Sequence, residues 1–432
     1  MLRFLTFSFS RVCPLLLVAG LSSTAACDAG STSGSDSAGA PGAAGAKPTG
    51  GGAPNSGAGT AGSLSVAGGS ANAGNAGASN SAGAGGTPVT GMTLAQKYAD
   101  YFPIGAAVSS WHLDNVNAVL ASQFNHLTCE NAMKIQDIHP AEATYDWAEA
   151  DRIADFARSH GMKMTGHNLL WHRQAPDWMF AGVTAGDATS LELLQARLKA
   201  HISAVVGRYA DVVDNWDVVN EAISDTADKT YRDGAEGSKW YELFGSEEYI
   251  YWAFQYAHDA LEALAPGSSQ GKLYYNEYVV TVKADKILKM FAWLKTKGIQ
   301  VDGVGFQSHE NMTWPSATDL QGAFDKFVAA GYKLKVSELD VTVYSDYATG
   351  PFVPSPEVPF TPTLEAAQAK RFADLFAVYR KNKANITSVT FWGVSDDNTW
   401  LDDDPVAGRD DYPLLYNDAH QPKAAVAAIM NF

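Results

Sequence analysis

Asn220 and Glu221 end a run of strand formers, "WDVVNE" (216–221), where a buried strand would be expected to enter a turn. A second glutamate, Glu338, stands in "KLKVSELDV" (333–341), with Asp340 two residues on. Two such carboxylates, set face to face across a pocket, are the equipment for cleaving a glycosidic bond. One, protonated, gives its proton to the leaving oxygen, while the other, ionised, attacks the anomeric carbon or activates water. Other apolar runs also finish on polar or aromatic groups. Glu130 closes "HLTCE" with Asn131 next, His167 lies in "KMTGHNL", Gln307 lies near the end of "VDGVGFQS" with His309 just after it, and Trp392 lies in "SVTFWGV". One polar residue at a strand end is ordinary, but the whole set at one rim calls for a site. There Trp171, Trp392 and Trp400 would offer flat apolar faces to sugar rings. Asn131, Lys134, His167, Asn220, Gln307 and His309 would supply hydrogen-bonding groups for hydroxyls.

These groups need elements that converge. Eight β-rich stretches are marked at 102–109, 126–130, 163–169, 213–221, 272–278, 301–308, 333–341 and 388–394. Helical patterns lie between them, as in "WAEADRIADFARSHG" (147–161), with apolar residues at helical spacing and a closing Gly161. The segments 191–210 and 283–298 behave alike. Eight strands alternating with helices predict an α/β fold, a (β/α)8 TIM barrel forming a single catalytic domain over 92–432. Catalytic groups of such a barrel collect at the carboxyl ends of its strands. Strands four and seven, bearing Glu221 and Glu338, are expected to face each other across the ring. An open doubly wound sheet is the alternative, though no Gly-rich phosphate loop follows the first strand.

Of the 432 residues 46% are hydrophobic, enough for a large packed core, and the formal net charge is -16. Segment 1–27 carries Arg3 and Arg11, and 28–91 carries Asp28, Asp36 and Lys47, which leaves a charge of -17 on 92–432. So acidic a domain suits a neutral polymer and excludes nucleic acid as a partner, because phosphate backbones demand clustered Lys and Arg. Residues 1–27 read as an export signal: two arginines, the short apolar "PLLLVAGL", then the small residues "STAA". The apolar stretch is too short to span a bilayer. A secreted or cell-surface protein is therefore expected. Cys27, in "TAAC", stands where a bacterial lipoprotein keeps its lipid-bearing cysteine, but Thr24 stands where Leu is usual. Lipid anchoring to a membrane and simple cleavage are both open. Residues 28–91 are nearly all Gly, Ala, Ser, Thr, Asn and Pro and predict a flexible, disordered linker. Beyond Cys13 only Cys27 and Cys129 remain, too few for a disulfide framework, and Cys129 is expected to be a buried small hydrophobe. No metal-ligand cluster or cofactor fingerprint is present, so none is expected; His139, His160, His201 and His258 are expected to be structural or exposed. The expected state is a monomer.

At these residues the sequence resembles glycoside hydrolase family 10, the retaining endo-β-1,4-xylanases. The likeness runs in the family's order from Thr93 to Phe432. It includes "ENAMK" (130–134), "GHNLLWH" (166–172), "WDVVNEA" (216–222), "YYNEY" (274–278), "GVGFQSH" (303–309), "SELD" (337–340) and "FWGVSDDNTW" (391–400). The resemblance implies endo-hydrolysis of xylan, with Glu221 as general acid/base and Glu338 as nucleophile. It places Glu130, Asn131, Lys134, His167, Trp171, Asn220, Gln307, His309, Trp392 and Trp400 around the glycone-side pocket. It also implies that Asp340 orients His309, which contacts the nucleophile, and Glu338 is expected to stay ionised beside His309 and Asn220. Ile135, Asn168, Glu277 and Glu310 depart from the family's usual residues, which bears on substrate preference. Two other readings stand beside this one: a β-1,4-glucanase or cellulase-like enzyme on the same barrel, and a non-catalytic polysaccharide-binding lipoprotein. Binding alone has no need of a paired acid and nucleophile.

Overall fold

The computed structural model describes residues 91–265, 271–346 and 353–432. The expected leader (1–27) and, apart from Gly91, the expected linker (28–91) lie outside the described residues. The strands are β1 (Ile104–Val108), β2 (His126–Cys129), β3 (Lys163–His167), β4 (Val213–Asn220), β5 (Lys272–Glu277), β6 (Gly303–Phe306), β7 (His309–Asn311), β8 (Lys333–Thr342) and β9 (Ile386–Phe391). Their order is β6-β5-β4-β3-β2-β1-β9-β8-β7, and a further pairing of β6 with β8 closes the ring. Every pairing is parallel. The result is an eight-stranded (β/α)8 TIM barrel with β7 as an addition. Strands buried on both faces read as largely apolar runs, which is why the eight ring strands are legible in the sequence.

The ninth strand was not expected. Gln307 and His309 belong to no single strand: β6 stops at Phe306, and Ser308 takes φ 60. The chain then pairs again along β8, matching His309 to Asp340 and Asn311 to Thr342. Ten-residue β8 outruns four-residue β6. Pairing with β7 gives its outer backbone groups partners they would otherwise lack.

Helices wrap the ring between strands. Ala148–Ser159 buries Ala150, Ile153, Ala154 and Ala157, and Gly161 at φ 66 follows its end. Ala188–Tyr209 starts at Asp187, whose side chain accepts from the Ser190 amide at 3.2 Å. Val280–Thr296 supplies Ile287, Met290, Phe291 and Leu294 to the core.

Packing inside the barrel is tight enough to forbid one methyl. Gly166 on β3 lies in register with the fully buried Trp216 on β4, and a Cβ there would come 2.1 Å from Trp216 Cε3. Gly166→Ala should therefore lower stability by roughly 1–3 kcal/mol, the usual range for overpacking. The denaturant midpoint should fall with the slope unchanged; an unmoved midpoint would contradict this packing.

Candidate active site

Glu221 follows the last residue of β4 at φ 55, a left-handed backbone that a residue bearing a Cβ adopts only where its surroundings impose it. Its Oε2 accepts from Trp171 Nε1 at 3.0 Å, and its Oε1 from Gln307 Nε2 at 2.9 Å and Asn220 Nδ2 at 3.4 Å. Glu338 stands on β8, where Oε1 accepts from Asn276 Nδ2 at 2.6 Å and Oε2 lies 3.3 Å from His309 Nε2. The two carboxylates are tied together. Asn276 Nδ2 also reaches Asn220 Oδ1 at 2.9 Å, and Gln307 Nε2 reaches the same oxygen at 3.3 Å. On the ring, β4 and β8 are separated by β5 and β6 rather than standing directly opposite. Those intervening strands supply the bridging amides, Asn276 at the end of β5 and Gln307 just after β6. This corrects one expectation: the amide on Glu338 is Asn276, and Asn220 acts one hydrogen bond further away, because β5 lies between them.

The electrostatics around Glu338 oppose one another. Burial would raise its carboxyl, but the hydrogen bond from His309 and the charges of His167 and His309 outweigh that and hold it below the ordinary value. His309 is the converse case. Burial would lower its imidazole, yet Asp340 at 2.8 Å from Nδ1, with Glu338 on the other side, pushes it up to about 10. The ring is a cation at neutral pH and donates to both carboxylates. His309→Asn should therefore let the Glu338 carboxyl rise. The acid limb of the kcat/KM profile, where Glu338 takes up its proton in the free enzyme, should move to higher pH. A limb that stays in place would show that the imidazole acts through shape alone.

The remaining residues expected from sequence gather at the same mouth. His167 ends β3, its Nδ1 3.0 Å from Asp217 Oδ2, and its ring meets Trp392 edge-on at 5.3 Å. Trp400 Nε1 donates to Asp340 Oδ2 at 2.9 Å, with its ring 5.0 Å from that of His309. Beyond β2, Asn131 Nδ2 donates to Glu130 Oε1 at 3.1 Å, and Lys134 Nζ to Asn131 Oδ1 at 2.9 Å. Lys134 Nζ also stands 5.0 Å from the Trp171 ring. Burial lowers its ammonium, against the pull of Glu338, Glu130 and Glu221.

Several contributors escaped the sequence reading. Asn276 is the most important, and a signal for it existed: the Asn-Glu pair ending β5 repeats the Asn-Glu pair at the end of β4. Ser337 Oγ donates to Asn276 Oδ1 at 2.6 Å and fixes which way that amide faces. Lys335 Nζ lies 2.7 Å from Asp217 Oδ1 inside the barrel, a pairing across strands that no local pattern announces. Of the departures from the family pattern, Ile135 and Asn168 are buried, Glu310 pairs with Arg371 at 3.1 Å, and Glu277 pairs with Lys283 at 3.0 Å. His139 and His201 stack on each other, His160 and His258 are exposed, and burial pushes the Cys129 thiol well up.

The model of glycosyl hydrolase family 10 matches residues 93–432. A beta-1,4-xylanase of Dictyoglomus thermophilum is 41% identical over 342 residues, covering 79% of this chain and 91% of that protein. Endo-1,4-beta-xylanase B of Paenibacillus barcinonensis is 40% identical over 335 residues, covering 77% of this chain and 95% of that one. Among solved structures, an endo-1,4-beta-xylanase from Caldicellulosiruptor owensensis aligns with a TM-score of 0.72 at 39% identity, covering 79% of this chain and 99% of its own. A mutant determined in complex with xylotriose gives a TM-score of 0.71 at 36% identity, covering 79% and 100%. The match spans the barrel from its first described helix to the carboxyl terminus, and with both glutamates inside it the chain belongs to glycosyl hydrolase family 10.

Proposed function

We propose that this chain hydrolyses internal β-1,4-xylosidic linkages of xylan with net retention, by two displacements shared between Glu338 and Glu221. The observation that carries this is the unequal treatment of two carboxylates in one cleft. Glu338 is held ionised by the charged His309 and by Asn276, while the Glu221 carboxylate meets the neutral N–H groups of Trp171, Gln307 and Asn220. In the first step an oxygen of Glu338 attacks the anomeric carbon as the bond to the leaving chain breaks, and Glu221 gives its proton to the departing oxygen. In the second, Glu221 takes a proton from water, the water oxygen bonds to the anomeric carbon, and Glu338 leaves as carboxylate. Asn131, Lys134, His167 and Asn220 would bind hydroxyls, while Trp392 and Trp400 would bound the sugar by their ring faces. Glu130 would act through Asn131, which it holds by a hydrogen bond.

The relatives named for xylanase activity support the choice of polymer. Arg3, Arg11 and "PLLLVAGL" support export, giving either a secreted protein or one lipid-anchored at Cys27, with 28–91 as tether and a monomeric barrel over 92–432. Release of reducing ends should be fastest on xylan when xylan, mixed-linkage glucan and cellulose are compared. Proton NMR should show the β-anomer first. Faster release from a glucan would reassign the substrate, an α-anomer would exclude double displacement, and release from none would favour a binding protein.

A further inference from the structure

The left-handed backbone at Glu221 is held by groups other than the side chains that meet its carboxylate. The Glu221 amide donates to Asn276 O at 3.0 Å, and its carbonyl accepts from Arg232 Nε at 3.2 Å. The next two amides, Ala222 and Ile223, both donate to the Tyr275 hydroxyl, at 2.8 and 3.0 Å. That hydroxyl in turn donates to Glu277 Oε2 at 2.5 Å, and the Ile223 amide is shared with the same oxygen at 3.2 Å. A phenol has one donor and two acceptor sites, so these bonds saturate Tyr275. Glu277 is fixed at its other end by Lys283 Nζ at 3.0 Å and the Tyr278 amide at 3.1 Å. Tyr275 and Glu277 are wholly buried and Lys283 nearly so. Burial raises Glu277 to about 6, with Lys283 opposing it, and the donors on both its oxygens make it an acceptor.

We propose that Tyr275 and Glu277 are positioning residues for the proton-transfer carboxylate, holding the strained turn that presents Glu221 to the leaving oxygen. This rests on the assignment of Glu221 as acid/base. A carboxylate is required at position 277, because its neighbours (the Tyr275 hydroxyl, the amides of Ile223 and Tyr278, and the Lys283 ammonium) all present donors. Releasing the turn leaves Glu338 its partners, since its carboxylate bonds run to Asn276 and His309 and the Asn276 amide oxygen accepts from Ser337, none of them from the Tyr275 or Glu277 side chain. The loss should therefore fall on proton transfer alone.

The test compares kcat/KM for aryl xylobiosides that differ in leaving-group basicity, in the wild type, Tyr275→Phe, Glu277→Gln and Glu221→Ala. For a basic phenol, Tyr275→Phe should lose about ten- to a hundredfold, part of the 10²–10⁴ that a general acid contributes, and for dinitrophenol less than about threefold. Glu277→Gln should steepen the dependence in the same direction, and it decides the matter alone if Tyr275→Phe does not fold. Equal losses for every leaving group, or no loss, would overturn the proposal and leave a stabilising role only. If Glu221→Ala itself shows no steeper dependence, the assignment of Glu221 falls instead, and the positioning role falls with it.

Discussion

Glu338→Ala should lose activity on xylan by on the order of 10⁵-fold, about 7 kcal/mol of barrier at 1.36 kcal/mol per tenfold. The substitution removes the attacking oxygen and leaves the space of a carboxylate and its methylene. That space keeps its anion-binding walls, because Asn276 Nδ2 and His309 Nε2, which stood 2.6 and 3.3 Å from the carboxylate, remain. Asp340 still faces His309 Nδ1 at 2.8 Å and favours the protonated ring. A small anion such as azide should therefore enter and attack in place of Glu338. Only one displacement then occurs, so the glycosyl azide should have inverted, α configuration. Turnover should rise with azide concentration on an activated aryl xylobioside. A variant that keeps more than a few per cent of its activity on xylan, or an azide product of β configuration, would refute Glu338 as nucleophile.

Glu221→Ala should produce a different pattern from the same cleft. A sugar leaving group is too basic to depart unaided, so kcat/KM on xylan should fall by roughly 10²–10⁴. An activated aryl glycoside needs no proton, and Glu338 with its donors is intact, so the first displacement should proceed. Release then stalls for want of a base. The expected sequence is a burst of phenol followed by slow turnover, with the sugar found covalently on Glu338. Azide should accelerate the second step by attacking the intermediate from the opposite face, which gives the β-azide. The two variants thus predict azide products of opposite configuration, and an exchange of the two would reverse the assigned roles. Absence of a burst on the activated substrate would show that Glu221 supports the first displacement by something other than its proton.

Much of this was local information. β4 is buried along seven of its eight residues, so its apolar run stood out, as did the amphipathic helix Ala148–Ser159 with its closing Gly161. Strand type and helix type follow from propensity and burial pattern, and those act over a few neighbouring residues. Once eight strands were marked, their carboxyl ends had to share one rim, and the polar ends came along with them. The sequence by itself therefore pointed to the barrel and to many of the polar residues at its strand ends, though not to Asn276. It could not say which of them touch. Asn276 reaches Glu338 from 62 positions away, Lys335 and Asn215 meet from 120 away, and the two amides after Glu221 donate to a tyrosine on the next strand. The ionised state of Glu338, the ninth strand beside β8 and the turn at Glu221 were decided only by the tertiary structure. Hydrogen bonds and charges act through a few ångströms of space, and it is ring closure that brings residues distant in the chain within that reach.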